Sequence, residues 1–105
     1  MAMTAINKLK KRDGRLVDFD KEKIVVAIRK SFEATYKIGQ DEIIEDLANE
    51  VVDLLVQEGC NAPEVEHVQD LVERVLMDNG YVQTAKSYIL YRSERSRVRE
   101  MNTRL

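Results

Sequence analysis

Apolar residues recur at helical spacing in four stretches of this chain. The first begins after Asp20, a residue suited to capping a helix N-terminus, and continues until Gly39 supplies a stop. A second helix is predicted from Asp41 to Gly59. The apolar positions are Ile24, Val25, Ile28 and Phe32 in the first helix, and Ile43, Ile44, Leu47, Ala48, Val51, Leu54 and Leu55 in the second.

Two further helices are predicted in the second half of the chain. Pro63 is typical of a first helical turn, and the third helix is expected to stop at Asn79-Gly80. The fourth begins within two residues of that glycine and runs beyond its apolar positions into an arginine-rich stretch from Arg92 to Arg99. The apolar positions are Val65, Val68, Leu71, Val72, Val75 and Leu76 in the third helix, and Ala85, Tyr88, Ile89 and Leu90 in the fourth.

A β-hairpin is predicted ahead of the first helix. Residues 7–12 and 15–19 flank Asp13-Gly14, a dipeptide whose tolerance of positive φ favours a two-residue type I′ turn. Such a turn places Arg12 opposite Arg15 across the strands. The other expected pairs are Lys11 with Leu16, Lys10 with Val17 and Leu9 with Asp18.

These elements predict a mainly α (α+β) fold. It is a four-helix bundle capped by a small β-hairpin, or by a three-stranded sheet if the short connection from Cys60 to Ala62 adds a strand. No internal repeat or linker interrupts the chain. We therefore expect residues 1–105 to form a single domain, with a core from about 7 to 95 and a helical extension or tail over 96–105.

Charge is unevenly distributed along the chain, although the net charge is only −2. Residues 8–23 carry seven basic and four acidic side chains, and residues 81–105 carry six and two. Residues 40–80 carry twelve acidic side chains against one arginine. Two cationic ends around an acidic middle are compatible with a nucleic acid, a nucleotide or an acidic partner. With no apolar run of roughly 20 residues and no signal peptide, we expect a cytoplasmic protein with no membrane partner.

Few residues of this chain are suited to metal or catalytic chemistry. Cys60 and His67 are single residues of their types, so neither a disulfide nor a zinc site is expected. No serine or cysteine catalytic set is recognisable, and glycine-rich phosphate loops are absent. The sequence therefore favours binding without enzymatic turnover.

The first turn of the first helix carries an unusual pair of lysines. Helix N-termini favour acidic residues, yet Lys21 and Lys23 lie there. An anion bound nearby would offset this unfavourable placement. Free backbone N–H groups, Lys23 and the basic hairpin could converge on such an anion. The hairpin taken alone is equally compatible with a lysine-rich edge strand that discourages aggregation.

An ordered set of motifs runs through nearly the whole chain, from about Asn7 to Arg95. The motifs are Lys11-Arg12-Asp13-Gly14, Phe19-Asp20, Lys23-Ile24, Ala27-Ile28, the run from Val68 to Glu73 and the run from Ala85 to Arg92. Together they resemble the signature of the ATP-cone, the allosteric nucleotide-binding domain of many ribonucleotide reductases and of a bacterial repressor of their genes. The fold of that family agrees with the fold predicted from periodicity.

The resemblance implies a regulatory domain that senses ATP or dATP, with Mg²⁺ as a companion of the nucleotide. The effector would lie between the hairpin and the ends of the bundle helices. The implied site residues are Lys11, Arg12, Lys23 and Arg92 for phosphates, Leu9 and Ile24 for the base, Asp20 for the ribose or base, Val65 and Gln69 on the third helix, and Gly14 in the turn motif. Val17 departs from the glutamate of many members, which removes one expected polar contact.

The resemblance also bears on partners. It implies a ribonucleotide reductase catalytic domain or subunit. The surface expected to read out binding is the acidic second helix or the fourth helix, where Val98, Met101 and Leu105 continue an apolar stripe at three- and four-residue spacing. This stripe favours docking or self-association with a second copy of the chain over a solvated tail. The chain carries neither the reductase catalytic domain nor the zinc ribbon of the repressor, so we expect a stand-alone sensor or a domain of a larger protein. The main alternative is a nucleic-acid-binding module that uses the basic hairpin and the arginine-rich C-terminal helix.

Overall fold

The computed structural model describes residues 6–35, 41–59 and 61–103, with side chains as far as residue 98 except that of residue 96. The mainly helical fold with a small sheet is as predicted. Gly39, the predicted stop of the first helix, and Cys60 lie outside the described residues. The elements in chain order are β1 (Lys8–Lys10), β2 (Leu16–Asp18), α1 (Lys21–Thr35), α2 (Asp41–Glu58), α3 (Val65–Asp78) and α4 (Val82–Thr103).

The four helices form a bundle in which α1 packs against α2 and α4, and α3 packs against the same two helices. Helices α1 and α4 are antiparallel. The ring centroids of Phe32 and Tyr81 lie 5.1 Å apart, and the hydroxyls of Thr35 and Thr84 lie 3.0 Å apart, so the end of α1 meets the start of α4. None of the four helices, over the described residues, combines the length and the apolar composition of a membrane-spanning segment.

The hydrophobic core contains nearly all the predicted apolar positions of the first three helices. Ile43 and Leu54 are partly buried, and the fully buried side chains include Ile28, Val51, Leu55 and Leu76. In α4 the prediction is wrong at Ile89 and Leu90, which are 37% and 71% exposed. Because successive helical residues differ by about 100° in direction, a face buried through Thr84, Ala85 and Tyr88 turns the next two residues outward.

The register of the hairpin also differs from the prediction. Leu9 pairs with Val17, and the neighbouring pairs are Lys8 with Asp18 and Lys10 with Leu16. The predicted pairs, including Arg12 with Arg15 and Leu9 with Asp18, are therefore wrong by one residue. This shift puts Leu9 and Val17 on one face of the hairpin, where both are half-buried.

A longer loop explains the shift in register. The Lys11 N–H donates to the Arg15 carbonyl over 2.8 Å, and the Gly14 N–H donates back to the Lys11 carbonyl over 2.9 Å. These bonds enclose a three-residue loop that ends at Gly14, whose φ of +90° favours glycine. The Asp13 carboxylate accepts a hydrogen bond from the Arg15 N–H, which fixes the loop.

No third strand forms in the described part of the sheet, which has two strands. The segment before α3 nevertheless runs beside β1. The Lys10 N–H donates to the Pro63 carbonyl over 2.9 Å, and Lys10 forms a single parallel bridge with Glu64. Pro63 is buried and precedes the cap residue Glu64, so its predicted place in the first turn of the third helix is wrong. The segment fastens the hairpin onto the start of α3.

Candidate functional site

A cleft of about 170 Å³ lies between the hairpin and the bundle. We call it the cap cleft. It brings together eight of the ten predicted site residues: Leu9, Lys11, Asp20, Lys23, Ile24, Val65, Gln69 and Arg92. Its other lining residues are Val17, Asp18, Phe19, Ala27, Val68, Val72, Tyr88, Tyr91 and Arg95. Apolar side chains cover much of this lining, and the basic side chains among them outnumber the acidic ones.

The start of α1 contributes the first wall of the cap cleft. Asp20 caps the helix, because its carboxylate accepts a hydrogen bond from the Glu22 N–H over 3.0 Å. Lys21 points to α2 and binds Glu45 and Asn49, each over 2.9 Å. Lys23 lies on the cleft side and is exposed; its backbone N–H donates to the Asp20 carbonyl over 3.1 Å, but its ammonium forms no ion pair or hydrogen bond with any residue that the structure describes. The two lysines of the first turn therefore differ, since the charge of Lys21 is neutralised by Glu45 and that of Lys23 has no counter-ion among the described residues.

The hairpin contributes the second wall. Leu9, Val17 and Lys11 are half-buried and face the bundle, while the intervening residues are exposed. Asp18 lines the cleft and accepts a 2.7 Å hydrogen bond from the Lys8 ammonium. This bond and the charge of Lys8 hold the pKa of the Asp18 carboxyl below its ordinary value.

Arg92 joins α4 to α3 beside the cap cleft. Its guanidinium donates to Glu73 over 2.6 Å and to Asp70 over 2.9 Å, and its side chain is 18% exposed. Asp70 and Glu73 are one helical turn apart, which lets one arginine bind both. Arg92, a predicted phosphate residue, is thus already bound to two carboxylates. Arg95, one turn further along α4, has no ion-pair partner in the described ranges and lines the same cleft.

Arg12 and Gly14, the remaining predicted site residues, lie outside the cap cleft. They line a second, open groove of about 510 Å³ at the hairpin turn, together with the start of α3. Arg12 forms an ion pair with Glu66 across this groove over 3.2 Å. Of the residues that the structure describes, only Lys11 and Val65 line both the groove and the cap cleft. The predicted site roles of Arg12 and Gly14 stay predictions, and the geometry separates these two residues from the eight that line the cap cleft.

Several lining residues of the cap cleft were not predicted as site residues. Tyr88, Val68 and Val72 were predicted as core residues. They are buried in the core and also line the cap cleft, because the cleft borders the core. The sequence did contain a signal that Arg95 belongs to the site. Tyr88, Arg92 and Arg95 follow one another at spacings of four and three residues, which places them on one face of a helix.

The end of α4 carries the apolar positions predicted for docking. Val98 is exposed, while the side chain of Met101 and the whole of Leu105 lie outside the described part of the chain. Arg97, in the predicted nucleic-acid surface, pairs with Glu94 on the same helix over 2.8 Å. The described part of this segment therefore carries both signs of charge.

Comparison with known proteins identifies a family. The chain matches the model of the ATP cone domain over residues 8–97. It is 42% identical over 100 residues to a vitamin B12-dependent ribonucleoside-diphosphate reductase of Thermoplasma acidophilum, an alignment covering 90% of this chain and 13% of that protein. It is 41% identical over 96 residues to a ribonucleoside-diphosphate reductase subunit alpha of Chlamydia pneumoniae, covering 85% and 9%.

A third relative belongs to another class of reductase. The chain is 34% identical over 95 residues to the anaerobic ribonucleoside-triphosphate reductase of Escherichia coli, covering 90% of this chain and 13% of that protein. The chain thus spans about a tenth of the length of these relatives. The matched segment is a regulatory, nucleotide-sensing domain and not the catalytic part of such enzymes.

Proposed function

Because this chain belongs to the ATP-cone domain family, we propose that its cap cleft binds ATP or dATP as an allosteric effector. The observation that carries the proposal is Lys23, an exposed first-turn lysine at the cleft whose ammonium has no partner among the described residues. A cation at a helix N-terminus is locally unfavourable by a few tenths of a kcal/mol or more. A bound phosphate would offset this repulsion, because it is attracted both by Lys23 and by the positive end of the helix dipole.

The shape of the cap cleft supports one orientation of the nucleotide. Sites for drug-sized ligands have volumes of roughly 300–1,000 Å³, so a cleft of about 170 Å³ is too small to enclose a whole nucleoside triphosphate. We propose that the base and ribose enter the cleft and that the triphosphate extends across its rim. The rim offers the cationic side chains of Lys11, Lys23 and Arg95.

The other lining residues fit this orientation. Leu9, Ile24 and Val65 give apolar surface for the base, and Gln69 offers both a donor and an acceptor to it. Asp20 already caps α1 through one carboxylate oxygen, which leaves the other oxygen for a ribose hydroxyl.

Three predicted residues are assigned supporting roles in this proposal. Gly14 permits the turn, and Arg12 fastens it to α3 through Glu66. Arg92 holds α3 and α4 together beside the cleft, where its charge still attracts phosphate.

Binding is proposed to regulate rather than to catalyse. A nucleotide that contacts the hairpin, α1, α3 and α4 at once would fix the cap relative to the bundle, and it shifts an equilibrium only as far as it binds one arrangement better. ATP and dATP differ by one hydroxyl, so Asp20 is the residue proposed to tell them apart. Mg²⁺ would accompany the phosphates.

The proposed partner is a ribonucleotide reductase catalytic domain or subunit, since the matched relatives are reductases. The surface proposed to meet it is the outer face of α4, where Val82, Ile89 and Leu90 are exposed. A second copy of this chain is the alternative occupant of that face.

The nucleic-acid alternative draws less support from the contacts of the hairpin. Lys8, Arg12 and Arg15 each form an ion pair with a carboxylate, with Asp18, Glu66 and Asp13 respectively. Duplex binding depends on cations that neutralise backbone phosphates, and paired cations serve this purpose poorly. No aromatic residue lies in β1, β2 or the loop between them to stack on bases.

Titration calorimetry with ATP, dATP and adenosine tests the proposal. We expect both triphosphates to bind at micromolar concentrations and adenosine to bind more weakly, because the rim cations would have no phosphate to contact. A short DNA duplex should not compete with ATP. The proposal is contradicted if neither triphosphate binds, or if DNA binds in a salt-sensitive manner that ATP cannot displace.

A further inference from the structure

The hydroxyl of Tyr88 lies in the lining of the cap cleft without a hydrogen-bond partner among the described residues. Tyr88 as a whole is only 3% exposed. The side chains around it are already engaged, because Arg92 is bound to Asp70 and Glu73. No fully buried side-chain oxygen or nitrogen of the described residues lacks a hydrogen-bond partner, so the Tyr88 hydroxyl opens into the cap cleft, where a ligand atom can accept its proton.

The protonation state of Tyr88 fixes its part in such a bond. Burial raises the pKa of the Tyr88 hydroxyl above its ordinary value, and the positive charge of Arg92 opposes the shift only in part. The hydroxyl is therefore neutral near pH 7 and carries a proton that it can donate.

The direction of the helices places Tyr88 at the inner end of the cap cleft. Since α1 and α4 are antiparallel, Lys23 lies beside later residues of α4 such as Arg95, and Ala27 lies beside Tyr88. Tyr88 is also one turn or more inward from Arg92 and Arg95 along α4. A triphosphate held at the outer cations would leave the base as the part of the nucleotide nearest to Tyr88.

We propose that Tyr88 is a specificity residue whose hydroxyl donates a hydrogen bond to a ring nitrogen of bound adenine. This inference rests on the proposed function, since it takes the cap cleft as the nucleotide site. Val68 and Val72 in the same lining offer no acceptor from their side chains, and the carboxylates of Asp70 and Glu73 are bound to Arg92, which leaves the base as the proposed acceptor.

The variant Tyr88→Phe tests the proposal because it removes the hydroxyl and keeps the ring that packs in the core. We expect ATP to bind this variant about five- to tenfold more weakly, the ordinary effect of one lost neutral hydrogen bond. The melting temperature without nucleotide should stay unchanged, because the hydroxyl has no partner in the described protein. The matched control is Tyr81→Phe, the same change at the residue that precedes α4 and lies outside the cap cleft lining. It should bind ATP as the unaltered chain does.

Analogues of ATP in which one ring nitrogen is replaced by carbon locate the bond. Among 1-deaza, 3-deaza and 7-deaza ATP, we expect one to bind the unaltered chain about five- to tenfold more weakly and to lose no further affinity in Tyr88→Phe. Unchanged ATP affinity in Tyr88→Phe overturns the proposal while leaving the proposed function intact. The proposal is also overturned if Tyr88→Phe weakens the binding of ATP and of all three analogues by the same factor, because the hydroxyl would then bond to the sugar or the phosphates. If the unaltered chain binds no ATP, the proposed function itself fails.

Discussion

Arg92 donates a 2.6 Å hydrogen bond to Glu73 and thereby joins α4 to α3 at the edge of the cap cleft. Glu73 is 24% exposed and Arg92 18%, so the pair is largely removed from water. Asp70 binds the same guanidinium from one turn away at 2.9 Å. Arg92, Asp70 and Glu73 thus form a three-residue ion-pair network at the cleft, where it would interact electrostatically with a bound phosphate.

Removing Arg92 should destabilise the fold. Arg92→Ala leaves the partly buried Glu73 carboxylate without its cation, and we expect the free energy of unfolding to fall by about 1–3 kcal/mol. Chemical denaturation measures this change. Arg97→Ala is the control, because Arg97 pairs with Glu94 on the exposed surface, where such pairs contribute roughly 0–1 kcal/mol. Equal effects of the two substitutions would show that the Arg92 network contributes no more than a surface ion pair.

Gly14 is predicted to be required for its backbone conformation rather than for space. Its φ is +90°, and a Cβ added there would meet nothing within 4 Å. We expect Gly14→Val to lower the free energy of unfolding by about 1–2 kcal/mol, and Gly14→Asn to lower it less, since asparagine tolerates positive φ better. Denaturation of both variants provides the measurement. If valine and asparagine cost the same, the turn has a different conformation.

The hydrogen bond from Lys8 to Asp18 should make the hairpin sensitive to acid. Asp18 has a pKa below its ordinary value of 3.8. A carboxyl with a lowered pKa in the folded state stabilises that state above its unfolded pKa, and this contribution disappears as the pH falls through the folded value. A carboxyl-detected NMR titration should therefore place the Asp18 midpoint below 3.8, and Lys8→Gln should raise it. An Asp18 midpoint that does not respond to Lys8→Gln would rule out this interaction.

Periodicity was sufficient to predict the helices because burial of one face imposes a 3.6-residue repeat, and glycine marks helix ends. Helix α2 begins at the predicted Asp41 and ends immediately before Gly59. Periodicity was not sufficient for the hairpin. Asp13-Gly14 suits both two-residue and three-residue loops, and the longer loop forms together with the burial of Leu9 and Val17 on one face.

The candidate site could likewise be predicted from the sequence only in part. Lys23 could be found from the sequence, because a lysine in a first helical turn conflicts with the helix dipole whatever the surrounding structure. Tyr88 could be predicted only as a buried residue. Whether a buried hydroxyl has a partner depends on side chains of other helices, such as Arg92 being held by Asp70 and Glu73, and no spacing within α4 encodes that.

The affinity of ATP for Lys23→Ala, compared with Lys30→Ala, is the most direct test of the nucleotide site. Both lysines are exposed on α1, but only Lys23 lines the cap cleft. By titration calorimetry, Lys23→Ala should bind ATP about 10- to 100-fold more weakly, as expected for the loss of a charged hydrogen bond to phosphate. Lys30→Ala should bind it with unchanged affinity. Equal ATP affinities in the two variants would contradict a phosphate site at the start of α1.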